Sequence, residues 1–203
     1  MTTRVVRFDM PATGSLLDVA LTRGQSQAVF RAVAVLFVTV LTIVAAQVSI
    51  PLPFTPVPFT LQPMVVLLGG AALGARLGMS SQILYLALGI AGLPVFAASP
   101  ILPQGFARLL GPTGGYLMSY PLAAFITGYL AQRGFDRRYL TSVLAMVAGL
   151  AVIFSCGVLW LAFGTHAGLA AAVRTGLLPF IPADIVKVFL AATILPAAWR
   201  FLK

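Results

Sequence analysis

Apolar residues in this chain come in long uninterrupted runs. No charged residue occurs in Ala32–Ala75, Leu77–Ala107, Leu109–Gln132 or Tyr139–Val173. A helix that crosses a bilayer needs about 20 predominantly apolar residues. The runs, with an apolar stretch near the C-terminus, predict six spans at about 28–48, 61–75, 80–90, 113–132, 140–163 and 182–201. Pro51–Thr60 reads PLPFTPVPFT, with four prolines in ten residues. It predicts a stiff, non-helical connection between the first two spans. Gly89, Gly92 and Pro94 are expected to fray the third span, and 97–110 reads as a long loop. Pro121 predicts a kink in the fourth span, and Pro182 suits the first turn of the sixth.

Composition turns these segments into a fold class. Of 203 residues, 60% are hydrophobic and 8% charged, against about 25% charged in soluble domains. That leaves too little polar surface for a water-soluble exterior. The alternating segments of about ten residues that build a membrane β-barrel are absent. The expectation is an all-α integral membrane protein, a six-transmembrane-helix bundle. Residues 1–25 read as a cytoplasmic tail with a short surface helix near 16–21, and 26–203 as one transmembrane domain. The tail has no apolar core of the kind a signal peptide carries.

The net charge of +9 raises nucleic acid as a partner, but the basic residues lie at the ends of apolar runs. An even number of spans puts both termini on one side. Ten basic residues then fall on that side: Arg4, Arg7, Arg23, Arg31, Arg76, Arg133, Arg137, Arg138, Arg200 and Lys203. Three (Arg108, Arg174 and Lys187) fall opposite. The bias places both termini in the cytoplasm and argues against nucleic acid.

Four acids occur in all, and Asp184 is the one inside an apolar segment, with Lys187 three residues on. Such a pair shares a helix face and is expensive inside a membrane. It reads either as a dipole-favoured acid beside a lysine that snorkels outward or pairs with it, or as a ligand site. Arg108 is the sole charge in its loop, suited to solvent or to an anionic ligand. Gln62, beside Pro63, is either a ligand contact or a helix-start hydrogen bonder. Gly111–Tyr116, GPTGGY, lets backbone approach a ligand or a neighbouring helix, and it lacks the GK[ST] ending of a P-loop. No nucleotide-binding motif occurs, so the chain by itself is not expected to hydrolyse ATP.

Gly70, Gly74 and Gly78 predict close internal helix packing, and Ala28 and Ala32 a close approach to a partner. Trp160 and Tyr116 fit an outer aromatic belt and Trp199 an inner one. Cys156 reads as a small core residue, and His166 has no second ligand for a metal. Leu52–Pro56 is echoed by Leu178–Pro182, weakly suggesting a repeat. An intramembrane enzyme is disfavoured, because no acid or histidine cluster, zinc motif or nucleophile elbow is present.

Four segments in order, Ile50–Gln62 (IPLPFTPVPFTLQ), Leu84–Phe96 (LYLALGIAGLPVF), Gly111–Leu117 (GPTGGYL) and Pro179–Lys187 (PFIPADIVK), resemble the BioY family. These are the biotin-specific substrate-binding subunits, or S components, of energy-coupling-factor (ECF) vitamin transporters. The resemblance runs from the first span to the last and leaves out about residues 1–25. It implies a six-helix bundle in the bacterial cell (inner) membrane. Biotin would bind near the extracytoplasmic face under the loop between the first two helices, with no cofactor and no metal. It also implies a transmembrane coupling subunit (EcfT type) and ATPase subunits (EcfA type) as partners, docked through the Ala28/Ala32 pattern. Asp184 and Lys187 correspond to the family's ligand-contacting acid and lysine. Arg108 corresponds to an arginine ahead of GPTGG, although ASPILPQGFARLL departs from the glycine-rich loop expected there. With Gln62 and Tyr116 these form the expected substrate-binding set. Biotin's ureido N–H groups suit Asp184, and its carboxylate suits Lys187 or Arg108. The competing reading is a self-sufficient carrier for another vitamin or small organic acid, with Asp184 as a proton site.

Overall fold

A computed structural model describes residues 14–21, 27–99 and 102–202. Helix α1 spans Leu16–Leu21, α2 Gln27–Gln47, α3 Gln62–Leu73, α4 Ala75–Ile90, α5 Ala107–Leu110 and α6 Gly114–Gln132. Then follow α7, Tyr139–Leu159, α8, Leu169–Gly176, and α9, Ile181–Leu202. Two short strands, β1 (Ser49–Ile50) and β2 (Phe59–Thr60), pair antiparallel, with Ser49 opposite Thr60. By length and apolar composition, Gln27–Gln47, Tyr139–Gly164 and Ile181–Arg200 are each able to cross a membrane.

The long helices start and stop close to the predicted positions, because glycine and proline punctuation sets them. The third predicted span begins five residues earlier than expected, at Ala75. Gly74, at φ +84°, makes the break between α3 and α4 with a backbone conformation that suits glycine. Pro121 lies inside α6 without ending it. The last turn of α7 widens into a π-helical turn over Trp160–Gly164.

Helices α3, α4, α6 and α7 form the centre. Gly70, Gly78 and Gly128 let α3, α4 and α6 touch backbone to backbone. A Cβ on Gly128 would meet the backbone of Gly70, Gly74 and Ala75. Around these contacts pack Val66, Leu67, Tyr85, Ala123, Ala124 and Met146, all buried. The stripe of small residues therefore serves internal packing, as its spacing implied. Helix α2 lies outside this centre and keeps one long apolar face open, including Val29, Phe30, Val33, Phe37 and Val40.

Several features differ from expectation. Helix α8 and the β1–β2 pair were not predicted. Helix α1 forms where a surface helix was expected, yet it is partly sunk. Ser15 is buried, and Leu17 packs with Val38 and Leu73. The aromatic belt fails for two residues. Tyr116 is buried and donates its hydroxyl to the Gly176 carbonyl at 2.7 Å. Trp199 is buried and donates from Nε1 to Asp136 Oδ2 at 2.7 Å. Both rings face protein because each polar tip has a partner there. Both halves of the sequence echo contain a turn, but the second runs on into α9 at Ile181 whereas Leu52–Pro56 stays non-helical.

Candidate functional site

Pro182 and Ala183 open α9, and this start points its first polar residues at the space beneath the hairpin. Asp184 is 3% exposed and Lys187 8%. Lys187 Nζ stands 2.6 Å from Asp184 Oδ1. The same ammonium donates to the carbonyl of Thr60 in β2 at 2.7 Å. It also lies 3.7 Å from the centre of the Phe59 ring. One cation thus joins the last helix to the strand that closes the proline-rich loop. This geometry excludes the snorkelling reading, because the ammonium turns inward onto protein acceptors.

Gln62 opens α3 and is buried. Its Nε2 donates to the Tyr85 hydroxyl at 2.7 Å, and Tyr85 is fully buried on α4. Gln62 is therefore held by a neighbouring helix and by β2, where its backbone N–H donates to the Thr60 hydroxyl at 3.4 Å. Arg108, in α5, is 1% exposed. Its Nη2 donates to the Ala97 carbonyl, and among the described residues Nη1 has no hydrogen-bond partner. Burial pulls its guanidinium below the ordinary arginine value, though that value is high enough to leave the group cationic. The solvated-loop reading of Arg108 is thereby excluded.

Asp184, Lys187, Arg108, Gln62 and Tyr116 all line one cavity. Counted out to its open mouth, it holds about 600 Å³ of empty space. Small-molecule sites have mainly apolar walls and a few polar anchors. Val57 and Pro58 of the proline-rich loop, Tyr120, Ile153, Phe154 and Phe180 supply most of the wall. The loop is held over the cavity at both ends. Ser49 Oγ donates to the Ala98 carbonyl at 3.3 Å, and Lys187 holds Thr60. Arg108 and Asp184 enter from different elements, so the cavity offers a cationic group and an anionic group to one ligand.

Sequence reading missed Thr113, whose buried hydroxyl lines the cavity without a partner among the described residues. It also missed the Thr60 carbonyl and the wall residues. A threonine inside GPTGG was the available signal for the first. A backbone carbonyl leaves no trace in sequence. Ala28 and Ala32 stand apart from this set. Both are exposed near the start of α2, about 22–29 Å along the helix from its other end.

The family model for the BioY family matches residues 19–203. A Pyrococcus horikoshii protein named "Probable biotin transporter BioY" is 46% identical over 154 residues, covering 76% of this chain and 86% of that protein. A Thermotoga maritima protein named "Biotin transporter BioY" is 40% identical over 156 residues, covering 77% and 88%. A crystal structure of the S-component for biotin from an ECF-type ABC transporter superposes with a TM-score of 0.78 at 28% identity. That match covers 87% of this chain and 95% of the other. Apolar helices, a membrane setting and these matches agree, and the chain belongs to the BioY family.

Proposed function

We propose that this membrane protein takes part in biotin uptake as a substrate-binding subunit, holding biotin in the cavity beneath the β1–β2 hairpin. The observation that carries the reading is the convergence of a buried acid, a buried arginine and apolar walls on one cavity, in a chain whose relatives are named biotin transporters. Biotin has the matching parts: a ureido ring with two N–H donors, an apolar body and a carboxylate.

The hydrogen bonds orient it. One Asp184 oxygen is committed to Lys187, and a carboxylate's second oxygen remains able to accept from the ureido ring. Lys187 already serves Asp184, Thr60 and Phe59, which makes it a positioning residue. Arg108 has a buried N–H to spare, so it receives the ligand's carboxylate. Gln62 and Tyr116 complete the wall as polar contacts.

The membrane arrangement follows the charges. Six helices cross, both termini lie in the cytoplasm, and the cavity opens outward. Arg31 and Arg76 share a cleft with Tyr129 and Gln132, consistent with one strongly basic end. Arg108 and Lys187 line the cavity. The exposed face of α2 around Ala28 and Ala32 would meet the coupling subunit, and ATPase subunits would supply the energy this chain has no motif to provide.

Titration of the purified protein in detergent tests the reading. Biotin binds, and riboflavin and thiamine do not. Asp184→Asn weakens biotin binding by at least about tenfold, the loss expected for a hydrogen bond to a charged group. Unchanged affinity removes Asp184 from the site. Tight binding of riboflavin or thiamine, with none of biotin, favours the carrier alternative.

A further inference from the structure

Thr113 is the residue immediately before α6. A threonine there ordinarily turns its hydroxyl back to accept from the helix's first amides. Thr113 does not. Its backbone is helical, at φ −88° and ψ −4°, and its side chain makes no capping bond. The hydroxyl instead lines the cavity, 5% exposed and without a partner among the described residues. A buried hydroxyl left unpaired is costly. Five residues earlier Arg108 carries the same defect at Nη1. Two residues with orphaned donors, one of them cationic, therefore line one cavity beside the N-terminus of a 19-residue helix, whose dipole favours negative charge.

The turn that presents them is braced. Trp160 Nε1 donates to the Gly111 carbonyl at 3.0 Å, Gly114 N–H to the same carbonyl at 3.0 Å, and Leu117 N–H to the Thr113 carbonyl at 3.1 Å. Gly114 is fixed by the same packing, since a Cβ there would strike the Leu109 backbone. The bracing occupies the turn's backbone groups and leaves the two side-chain donors, on residues that line the cavity, without a partner among the described residues.

We propose that Arg108, Thr113 and the start of α6 form a carboxylate subsite, in which the Thr113 hydroxyl donates to one ligand oxygen while Arg108 Nη1 donates to the other. The proposal rests on the biotin reading above and deepens it, because it makes Thr113 a determinant of selectivity for the charged form of the ligand. Asp184, at the other polar group of the cavity, is left for the ureido end.

The test pairs two probes, biotin and its neutral carboxamide, with two variants. Thr113→Val keeps the side-chain shape and removes the hydroxyl, and Thr113→Ser keeps the hydroxyl. Thr113→Val is expected to weaken biotin by about tenfold or more, the loss for a hydrogen bond to a charged group. The carboxamide should lose clearly less, and Thr113→Ser should bind biotin as the unaltered protein does. Equal losses for both probes would mean that Thr113 only holds the turn, which overturns the subsite, as would undiminished biotin binding by Thr113→Val. A comparison on the unaltered protein covers the case of a variant that does not fold. The unaltered protein should prefer biotin over the carboxamide by at least about tenfold, and equal affinities overturn the subsite while leaving the biotin reading intact. If the unaltered protein binds no biotin, the biotin reading itself fails, and the subsite with it.

Discussion

Replacing Lys187 with methionine keeps most of the side-chain stem and removes the charge that joins α9 to β2. Three contacts go with it: the 2.6 Å pair with Asp184, the 2.7 Å bond to the Thr60 carbonyl and the approach to the Phe59 ring. Both members of the pair are buried, so water does not screen the loss as it would on a surface. Breaking a buried pair by removing one partner costs about 3–5 kcal/mol. Asp184 borders a cavity and gains some hydration or a proton, which argues for the lower end, about 3 kcal/mol. For a chain of this size 1 kcal/mol corresponds to about 2–4 °C, so the melting temperature should fall by about 6–12 °C. Asp184→Asn with Lys187→Met removes the stranded charge and should recover much of that loss, leaving mainly the missing tie to Thr60. The assay is thermal unfolding in detergent without ligand, followed by tryptophan fluorescence from Trp160 and Trp199. A single-variant shift below about 2 °C, or a double variant as destabilised as the two single variants summed, would refute a buried, mutually dependent pair.

Two further predictions follow from other parts of the molecule. Asp136 lies in the turn between α6 and α7, fully buried, and burial holds its carboxyl above the usual carboxylate value despite the bond from Trp199. A raised value means that folding favours the protonated form. Its contribution to stability is complete below the ordinary value of 3.8 and is lost as pH rises above it. Melting temperatures measured from about pH 4 to about pH 7 should therefore show a decline that Asp136→Asn flattens, and an unchanged slope in that variant would assign the decline elsewhere. On α2, Ala32→Trp should leave biotin affinity unchanged and reduce co-purification with the proposed coupling subunit, since the residue is exposed and outside the cavity. Lost biotin binding with intact assembly would reverse that assignment.

Helices were legible in the sequence because their signals are local. Uninterrupted apolar runs set their existence, and the Pro51–Pro58 cluster and Pro182 marked two of their boundaries. The acid and lysine of α9 were legible because charge in an apolar segment is rare and three-residue spacing fixes a common face. What stayed hidden depends on partners distant in the chain. Tyr116 looked like a membrane-interface aromatic until the Gly176 carbonyl, 60 residues away, gave its hydroxyl an interior acceptor. Trp199 did so for the same reason, with Asp136 63 residues away. Helix α8 is too short to leave a span-length run. Strands β1 and β2 are two residues each, too short for any alternation to register. Thr113 could be read only once the absence of its capping bond was visible.

The cavity beneath the hairpin is the proposed biotin site. A structure determined with biotin bound tests it most directly. The ureido ring is expected against Asp184 and the carboxylate beside Arg108 and Thr113, with Lys187 still joined to Thr60. Biotin bound elsewhere, or seated in this cavity with its carboxylate on Lys187 and Arg108 untouched, would contradict it.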